Sequence, residues 1–225
     1  MQTKIKAIAN KVIAQYNRTN LCASVECINN KINETGKKLA NHGVSANFVT
    51  VISFVLGMVA VNFLALQNYF WALVFILLNR LGDALDGAIA KVKGKTDFGV
   101  FIDACLDYVF YAAVIFGFSL ANPQQNALVA SFLLFGFTAS ACAMLAYAVV
   151  AYSKGMEKDA VFEESPFYLG GMAQGFETVT AFVLLCLAPN WFVPVAIILG
   201  CWCLIKTLAV ISSAYFKFII EKKGK

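Results

Sequence analysis

The chain has 225 residues, of which 60% are hydrophobic and 14% are charged, and its formal net charge is +5. A soluble globular domain has roughly 45–50% apolar and about 25% charged residues, so this composition excludes an ordinary soluble domain, a disordered chain and a coiled coil. The apolar residues form long blocks, which is typical of a protein that crosses a membrane several times.

Residues 1–43 precede the first apolar block and are predicted to form a cytoplasmic or interfacial segment. Apolar residues recur there at helical spacing, at Ile5, Ile8, Val12 and Tyr16, and predict an amphipathic helix. That helix either lies in the membrane interface or packs against its own bundle or a second copy, because amphipathicity is common to all of these. Residues 29–43 are polar and contain Gly36 and Gly43, so they are predicted to form a connector.

Six apolar blocks follow and predict an all-α membrane domain over residues 44–225. Each block is long enough for a transmembrane helix, which needs ~20 residues. The predicted spans are 44–66, 69–90, 98–120, 127–152, 169–187 and 192–215. These spans fill over half of the chain, so a single membrane domain is expected.

The basic residues predict the orientation of these spans. The connections after the first, third and fifth spans contain no charged residue, whereas seven basic residues precede Val44 and further lysines follow the second, fourth and sixth spans. Because lysine and arginine are retained in the cytoplasm, both termini are predicted to be cytoplasmic. The one-sided positive charge suits an anionic lipid surface, and nucleic acid is not an expected partner.

Four aspartates lie inside the second and third predicted spans, at Asp83, Asp86, Asp103 and Asp107. An ionisable residue within a span costs about 2.5–3.5 kcal/mol on insertion scales and is a functional candidate by default. Spacings of three and four residues place each pair on one helix face. If the two spans are antiparallel, Asp86 comes level with Asp103. Asp83 then comes level with Asp107, so the two pairs face each other.

Four neighbouring carboxylates repel one another and take up protons unless cations balance their charge. All-oxygen ligation favours Mg²⁺ or Mn²⁺ over zinc or copper. Two such ions held by carboxylates are a usual device for phosphoryl transfer. A buried hydrogen-bonded cluster and a proton relay are the alternative explanations, and both are weakened because Arg80 alone offers a balancing charge in the same turn.

Two segments resemble the signature of the CDP-alcohol phosphatidyltransferase family, D-x2-D-G-x2-A-R-x8-G-x3-D-x3-D. They read DALDGAIAK over residues 83–91 and GVFIDACLD over residues 99–107, with seven residues between them. Lys91 stands where the family has Arg and lacks the bidentate fork of that residue, and the spacer is one residue short. The segment SANFVT over residues 45–50 is similar to the Pro-Asn-x-x-Thr start of the family's first span, with Ala46 replacing Pro.

The resemblance extends over residues 44–215 and is closest to a small bacterial inner-membrane branch of the family. It implies two Mg²⁺ or Mn²⁺ ions, one bound by Asp83, Asp86 and Asp103 and the other by Asp83, Asp103 and Asp107. It also implies that Asp107 is the base that takes the proton of the acceptor hydroxyl. Contacts to the CDP part of the donor are implied for four residues, Gly87, Lys91, Thr96 and Gly99.

The implied activity is a step of phospholipid biosynthesis. The phosphatidyl group of CDP-diacylglycerol would move to a small hydroxylated acceptor with release of CMP. The acceptor would be glycerol 3-phosphate or another small alcohol. The loop over residues 153–168 has a net negative charge, so a neutral or amino-bearing alcohol is expected to compete seriously with glycerol 3-phosphate as the acceptor. The resemblance further implies a homodimer in the bacterial inner membrane.

The acceptor pocket has candidates in the fifth predicted span, at Gln174, Glu177 and Thr178. A polar contact between helices explains the same residues equally well. A transporter of divalent cations or protons is the alternative function, because it would use the same four aspartates. Transporters often contain inverted repeats, and the sequence has one acidic cluster without a second copy, which favours the enzyme.

Overall fold

The computed structural model of the protein describes residues 20–154 and 173–220, and these residues are helical and contain no strand. Their seven α-helices are α1 Asn20–Asn41, α2 Ala46–Ala65, α3 Tyr69–Lys93, α4 Asp97–Ala121, α5 Pro123–Ser153, α6 Ala173–Leu187 and α7 Phe192–Tyr215. A 3₁₀ turn over Pro189–Trp191 precedes α7, and a π-helical turn over Phe216–Ile220 follows it. The predicted amphipathic helix near the N-terminus and most of the 153–168 loop lie outside the described residues.

Four of the described segments are long and apolar enough to cross a membrane. They are Ala46–Ala65, Asp97–Ala121, Pro123–Ala151 and Pro189–Phe218. Helix α3 has the necessary length, 25 residues, but its second half contains the charged residues of the signature. Helix α6 contributes a shorter apolar stretch over Glu177–Leu187. The protein is therefore an all-helical membrane protein, and the count of six spans stays a prediction.

The prediction of a connector over residues 29–43 is wrong, because α1 continues through Asn41. Gly36 lies in the interior of this helix, where glycine costs about 1 kcal/mol in helix propensity. A Cβ atom at this position would lie 2.5 Å from the Cβ atom of Ala88 on α3. The glycine therefore permits α1 and α3 to approach closely, and this tertiary contact outweighs the local preference for a break.

Two glycines with positive φ end α1 and α3. Gly43 has φ +89°, and the N–H groups of Gly43 and Val44 donate to the carbonyls of Ala40 and Leu39, each at 3.1 Å. This pair of bonds is a Schellman motif, which satisfies carbonyls left free at a helix C-terminus. Gly94 has φ +90° and ends α3 in the same left-handed conformation, which L side chains rarely adopt.

The described chain forms two compact units. The first contains the described parts of Met1–Phe54 together with Asn79–Leu106, and the second contains Val55–Leu78 with the described parts of Asp107–Lys225. In the second unit, α5 packs along α7. A Cβ atom at Gly136 of α5 would lie 2.8 Å from the carbonyl oxygen of Gly200 on α7, so these two helices meet at small residues, as membrane helices often do.

Candidate active site

Three aspartates of the first unit form one carboxylate cluster, called here the acid cluster: Asp83 and Asp86 from α3 and Asp103 from α4. One oxygen of each lies within 4.8 Å of the others. The three-residue spacing places Asp83 and Asp86 on the same face of α3. The short turn over residues 94–96 then brings the start of α4 beside the end of α3. The predicted proximity of Asp86 and Asp103 is therefore confirmed.

The most buried member of the acid cluster is Asp86, whose side chain is 5% exposed. Its Oδ2 atom is buried and has no hydrogen-bond partner. A buried polar atom without a partner is unfavourable, and a charged one more so. A divalent cation would satisfy this oxygen and reduce the repulsion among the three carboxylates. The purely oxygen donor set fits Mg²⁺ or Mn²⁺.

A cavity of about 330 Å³ opens onto the acid cluster and combines acidic, basic and neutral polar groups. Asp86 and Asp103 lie on its wall together with Lys93 and Lys95. Its remaining lining residues are Ser45, Ala46, Asn47, Thr50, Gly87, Ala90, Gly94, Thr96, Gly99 and Val100. A ligand that carries phosphates can meet ammonium groups and cation-binding carboxylates in one cavity of this kind.

Three of the residues implied to contact CDP line this cavity, namely Gly87, Thr96 and Gly99. Thr96 is the N-cap of α4, because its Oγ1 atom accepts a hydrogen bond of 3.0 Å from the N–H of Gly99. A Cβ atom at position 99 would lie 2.7 Å from Oδ1 of Asn47 and 2.8 Å from Oγ1 of Thr96. A side chain at position 99 would therefore displace both polar groups. At Gly87 the space for a side chain is open.

The fourth implied CDP contact, Lys91, lines a different groove. This groove of about 540 Å³ lies between α1 and α3 and is lined by Asn30, Asn33, Glu34, Lys37, Ala88, Lys91 and Val92. The neighbouring Lys93 lines the acidic cavity instead, and its Nζ atom donates to the carbonyl oxygen of Val44 at 2.8 Å. The basic groups at this cavity are thus Lys93 and Lys95.

Asn47 and Thr50 also line the cavity, although neither was among the predicted site residues. Both residues belong to the SANFVT segment, and that segment was the sequence pattern that could have identified them.

Asp107 lies on α4, four residues after Asp103, and belongs to the second compact unit. Its role as a base stays a prediction.

In the second unit, Glu177 of α6 belongs to a second cluster of polar side chains. Its Oε2 atom accepts hydrogen bonds from Nζ of Lys206 at 2.6 Å and from Nε1 of Trp202 at 2.9 Å, both on α7. Glu177 and Thr178 line a cavity of about 10 Å³ there, which has room for about one water molecule. The side chain of Gln174 lies outside the described residues. The structure thus contains the polar contact between helices that the sequence left open as an alternative.

Comparisons with known proteins identify the family to which the chain is similar. The sequence model of the CDP-alcohol phosphatidyltransferase family matches residues 43–206. The chain is 44% identical over 173 residues to the inner membrane protein YnjF of Escherichia coli, covering 77% of this chain and 84% of that protein. It is 36% identical over 88 residues to the archaetidylinositol phosphate synthase of Pyrococcus horikoshii, covering 39% and 47% of the two chains.

Proposed function

This chain belongs to the CDP-alcohol phosphatidyltransferase family, and we propose that it transfers the phosphatidyl group of CDP-diacylglycerol to a small hydroxylated acceptor with release of CMP. The observation that carries the proposal is the buried Oδ2 atom of Asp86, which has no hydrogen-bond partner, in a carboxylate cluster beside a cavity that also contains two lysines. Membership in a transferase family favours this reaction over transport of cations or protons.

The acid cluster would hold one divalent cation. The family resemblance further implies a second cation, held by Asp83, Asp103 and Asp107. Bound Mg²⁺ or Mn²⁺ would neutralise the pyrophosphate of the donor and the charge that develops on departing CMP. Lys93 and Lys95 supply further positive charge to the phosphates. The Thr96 hydroxyl lines the same cavity and contacts the nucleotide part of the donor, as does the backbone at Gly87 and Gly99.

The transfer breaks the phosphoanhydride bond of the donor and forms a phosphate ester bond to the acceptor. The acceptor hydroxyl loses its proton to Asp107, and its oxygen bonds to the phosphorus that carries the diacylglycerol. The bond from that phosphorus to the bridging oxygen of CMP breaks, and CMP leaves with the electron pair. The acyl chains would stay in the bilayer while the polar head of the donor enters between α3 and α4.

The proposed setting is a bacterial inner membrane, which agrees with the printed name of the Escherichia coli relative. We place six spans in that membrane with both termini in the cytoplasm, because the positive charges lie on the side of the nucleotide cavity. A homodimer is part of the proposal through the family resemblance. Its lipid partners are the donor and the surrounding bilayer.

The acceptor is the least determined part of the proposal. Lys206 pairs with Glu177 at 2.6 Å, so the negative charge of this carboxylate does not disfavour an anionic acceptor. The name of the Pyrococcus horikoshii relative contains a phosphorylated headgroup, which supports a phosphorylated alcohol. Against this, the loop over residues 153–168 is acidic in balance. Glycerol 3-phosphate and uncharged or amino-bearing alcohols are therefore the candidates, and Glu177, Thr178 and Gln174 stay candidates for the pocket.

Release of CMP by the purified protein tests the proposal. We expect release that requires CDP-diacylglycerol, Mg²⁺ and one acceptor of a panel containing glycerol 3-phosphate, inositol phosphate, serine, choline and uncharged polyols. Asp83→Asn should abolish it, because that carboxylate belongs to both proposed cation sites. Asp97→Asn is the matched control, since Asp97 is exposed in the first turn of the same helix as Asp103. Wild-type protein that releases no CMP with any acceptor contradicts the proposal.

A further inference from the structure

Arg80 lies on α3 one turn before Asp83, and its guanidinium group is held from two sides. Its Nε and Nη2 atoms both donate to Oδ1 of Asn79, at 2.8 and 2.6 Å. Its Nη1 atom lies 3.6 Å from Oδ2 of Asp83, and the Arg80 side chain is 14% exposed. The arginine therefore connects a neutral amide to a carboxylate of the acid cluster.

The amide of Asn79 is itself fixed to another helix. Asn79 is 3% exposed, and its Nδ2 atom donates to the carbonyl oxygen of Ser53 on α2 at 2.8 Å. A Cβ atom at Gly82 would overlap the Ser53 side chain, so α2 and α3 are tightly packed at this point. A continuous series of contacts thus runs from the α2 backbone through Asn79 and Arg80 to Asp83.

Two features of arginine matter in this series. Its planar fork can donate through Nε and Nη2 to one acceptor while Nη1 faces another, which lysine cannot reproduce. Its charge also offsets one of the three negative charges of the acid cluster, which reduces the repulsion among the carboxylates. Groups that orient metal-binding carboxylates affect metal affinity about 10–100-fold when they are removed.

We propose that Arg80, anchored by Asn79, is a positioning residue that fixes the Asp83 carboxylate in the orientation that binds the divalent cation. The inference rests on the proposed function for the identity of the cation site. It assigns roles to two residues that precede the family signature. Arg80 acts here through Asp83, and it needs no contact with the donor or the acceptor.

Binding of Mn²⁺ to the purified full-length protein in detergent tests the inference. The electron paramagnetic resonance signal of free Mn²⁺ reports the dissociation constant for each folded variant. We expect Arg80→Lys, which keeps the charge and loses the fork, to bind Mn²⁺ about 10-fold more weakly. Arg80→Gln and Asn79→Leu should show at least the same loss. Asn62→Leu is the matched control, because Asn62 is an exposed asparagine of α2 whose amide donates to the Met58 carbonyl within its own helix.

A positioning role differs from a merely structural one in the metal dependence of turnover. The Mn²⁺ concentration for half-maximal CMP release should rise about 10-fold in Arg80→Lys, while kcat at saturating Mn²⁺ recovers most of its wild-type value. Partial unfolding would instead lower the rate of CMP release at every Mn²⁺ concentration, and the affinity of the folded fraction for Mn²⁺ would not change. Wild-type affinity in Arg80→Lys overturns the inference, and so does tighter binding in Arg80→Gln.

Failure of the inference and failure of the proposed function are distinguishable. If the wild-type protein binds Mn²⁺ but releases no CMP with any acceptor, the proposed reaction is wrong and the binding constants still decide the role of Arg80. If the wild-type protein does not bind Mn²⁺, Arg80 has no cation site to position and the inference is overturned. If Arg80→Gln or Asn79→Leu does not fold, Arg80→Lys decides, because it preserves charge and approximate length.

Discussion

Substitution of Asp107 tests the proposal directly, because this residue is both the proposed base and a proposed ligand of the second cation. Asp107→Asn removes the proton acceptor and leaves the acid cluster of Asp83, Asp86 and Asp103 intact. We expect turnover to fall by about 10²–10⁴-fold, the usual contribution of a general base, while binding of CDP-diacylglycerol is largely kept. CMP release and donor binding are measured on the same preparation. A rate within a few-fold of the wild type would show that the base has been assigned to the wrong residue.

The unpartnered Oδ2 atom of Asp86 leads to a prediction about stability. A cation that binds the folded state stabilises it by about 2.7 kcal/mol at 100 times its dissociation constant. We therefore expect Mn²⁺ to raise the Tm of the wild-type protein in detergent and to raise that of Asp86→Asn much less. The control Asp97→Asn should keep the full increase, because Asp97 is exposed and outside the acid cluster. Equal increases in Asp86→Asn and the wild type would contradict cation binding at this carboxylate.

At the scale of elements, the close approach of α1 to α3 depends on Gly36. Gly36→Leu places a side chain where even a Cβ atom would lie 2.5 Å from Ala88 Cβ. We expect a loss of stability of about 1–3 kcal/mol, the usual cost of overpacking. Thr35→Leu is the control, since Thr35 is the preceding residue of the same helix and is exposed. Thermal unfolding in detergent should separate the two variants, and equal Tm values would show that α1 does not need this contact.

At the same scale, Lys91 of the signature and the nearby Lys93 have different surroundings. Lys91 lines the groove between α1 and α3, whereas Lys93 lines the acidic cavity. The family has Arg at the position of Lys91. The chain therefore departs from the signature at a residue that lines the groove between α1 and α3. The positive charge in the acidic cavity therefore comes from Lys93 and Lys95.

At the scale of the whole molecule, the positions of the loops test the membrane topology. In a variant without its seven cysteines, single cysteines at Asn68, Gln124 and Asn190 should react with an impermeant thiol reagent in intact cells. A cysteine at Asn41 should react only after permeabilisation, because the positive-inside rule predicts that α1 is cytoplasmic. All four positions are exposed. Asn126 is unsuitable because it is 7% exposed and its amide donates to the Phe118 carbonyl at 2.8 Å. Labelling of position 41 from outside would contradict a cytosolic nucleotide site.

The sequence by itself determined the features that depend on neighbours along the chain. The predicted spans 69–90 and 98–120 correspond to α3 and α4, which are Tyr69–Lys93 and Asp97–Ala121, because an apolar run and its polar ends define a helix locally. The spacing within α3 places Asp83 and Asp86 on one face without reference to any other element. The signature likewise identified the family from the sequence, because it is a pattern of residue types and spacings along one stretch of chain.

Only the tertiary structure decided which groups from different helices meet. Glu177 and Lys206 are 29 residues apart, and their contact at 2.6 Å follows from the packing of α6 on α7. The fixation of Asn79 on the Ser53 carbonyl, the separation of Lys91 from the acidic cavity and the helical conformation around Gly36 likewise depend on neighbours in space. A side chain's position on its own helix follows from helical periodicity, whereas its partner on another helix depends on how the two surfaces interlock. Distant residues acquire a common environment only through that packing.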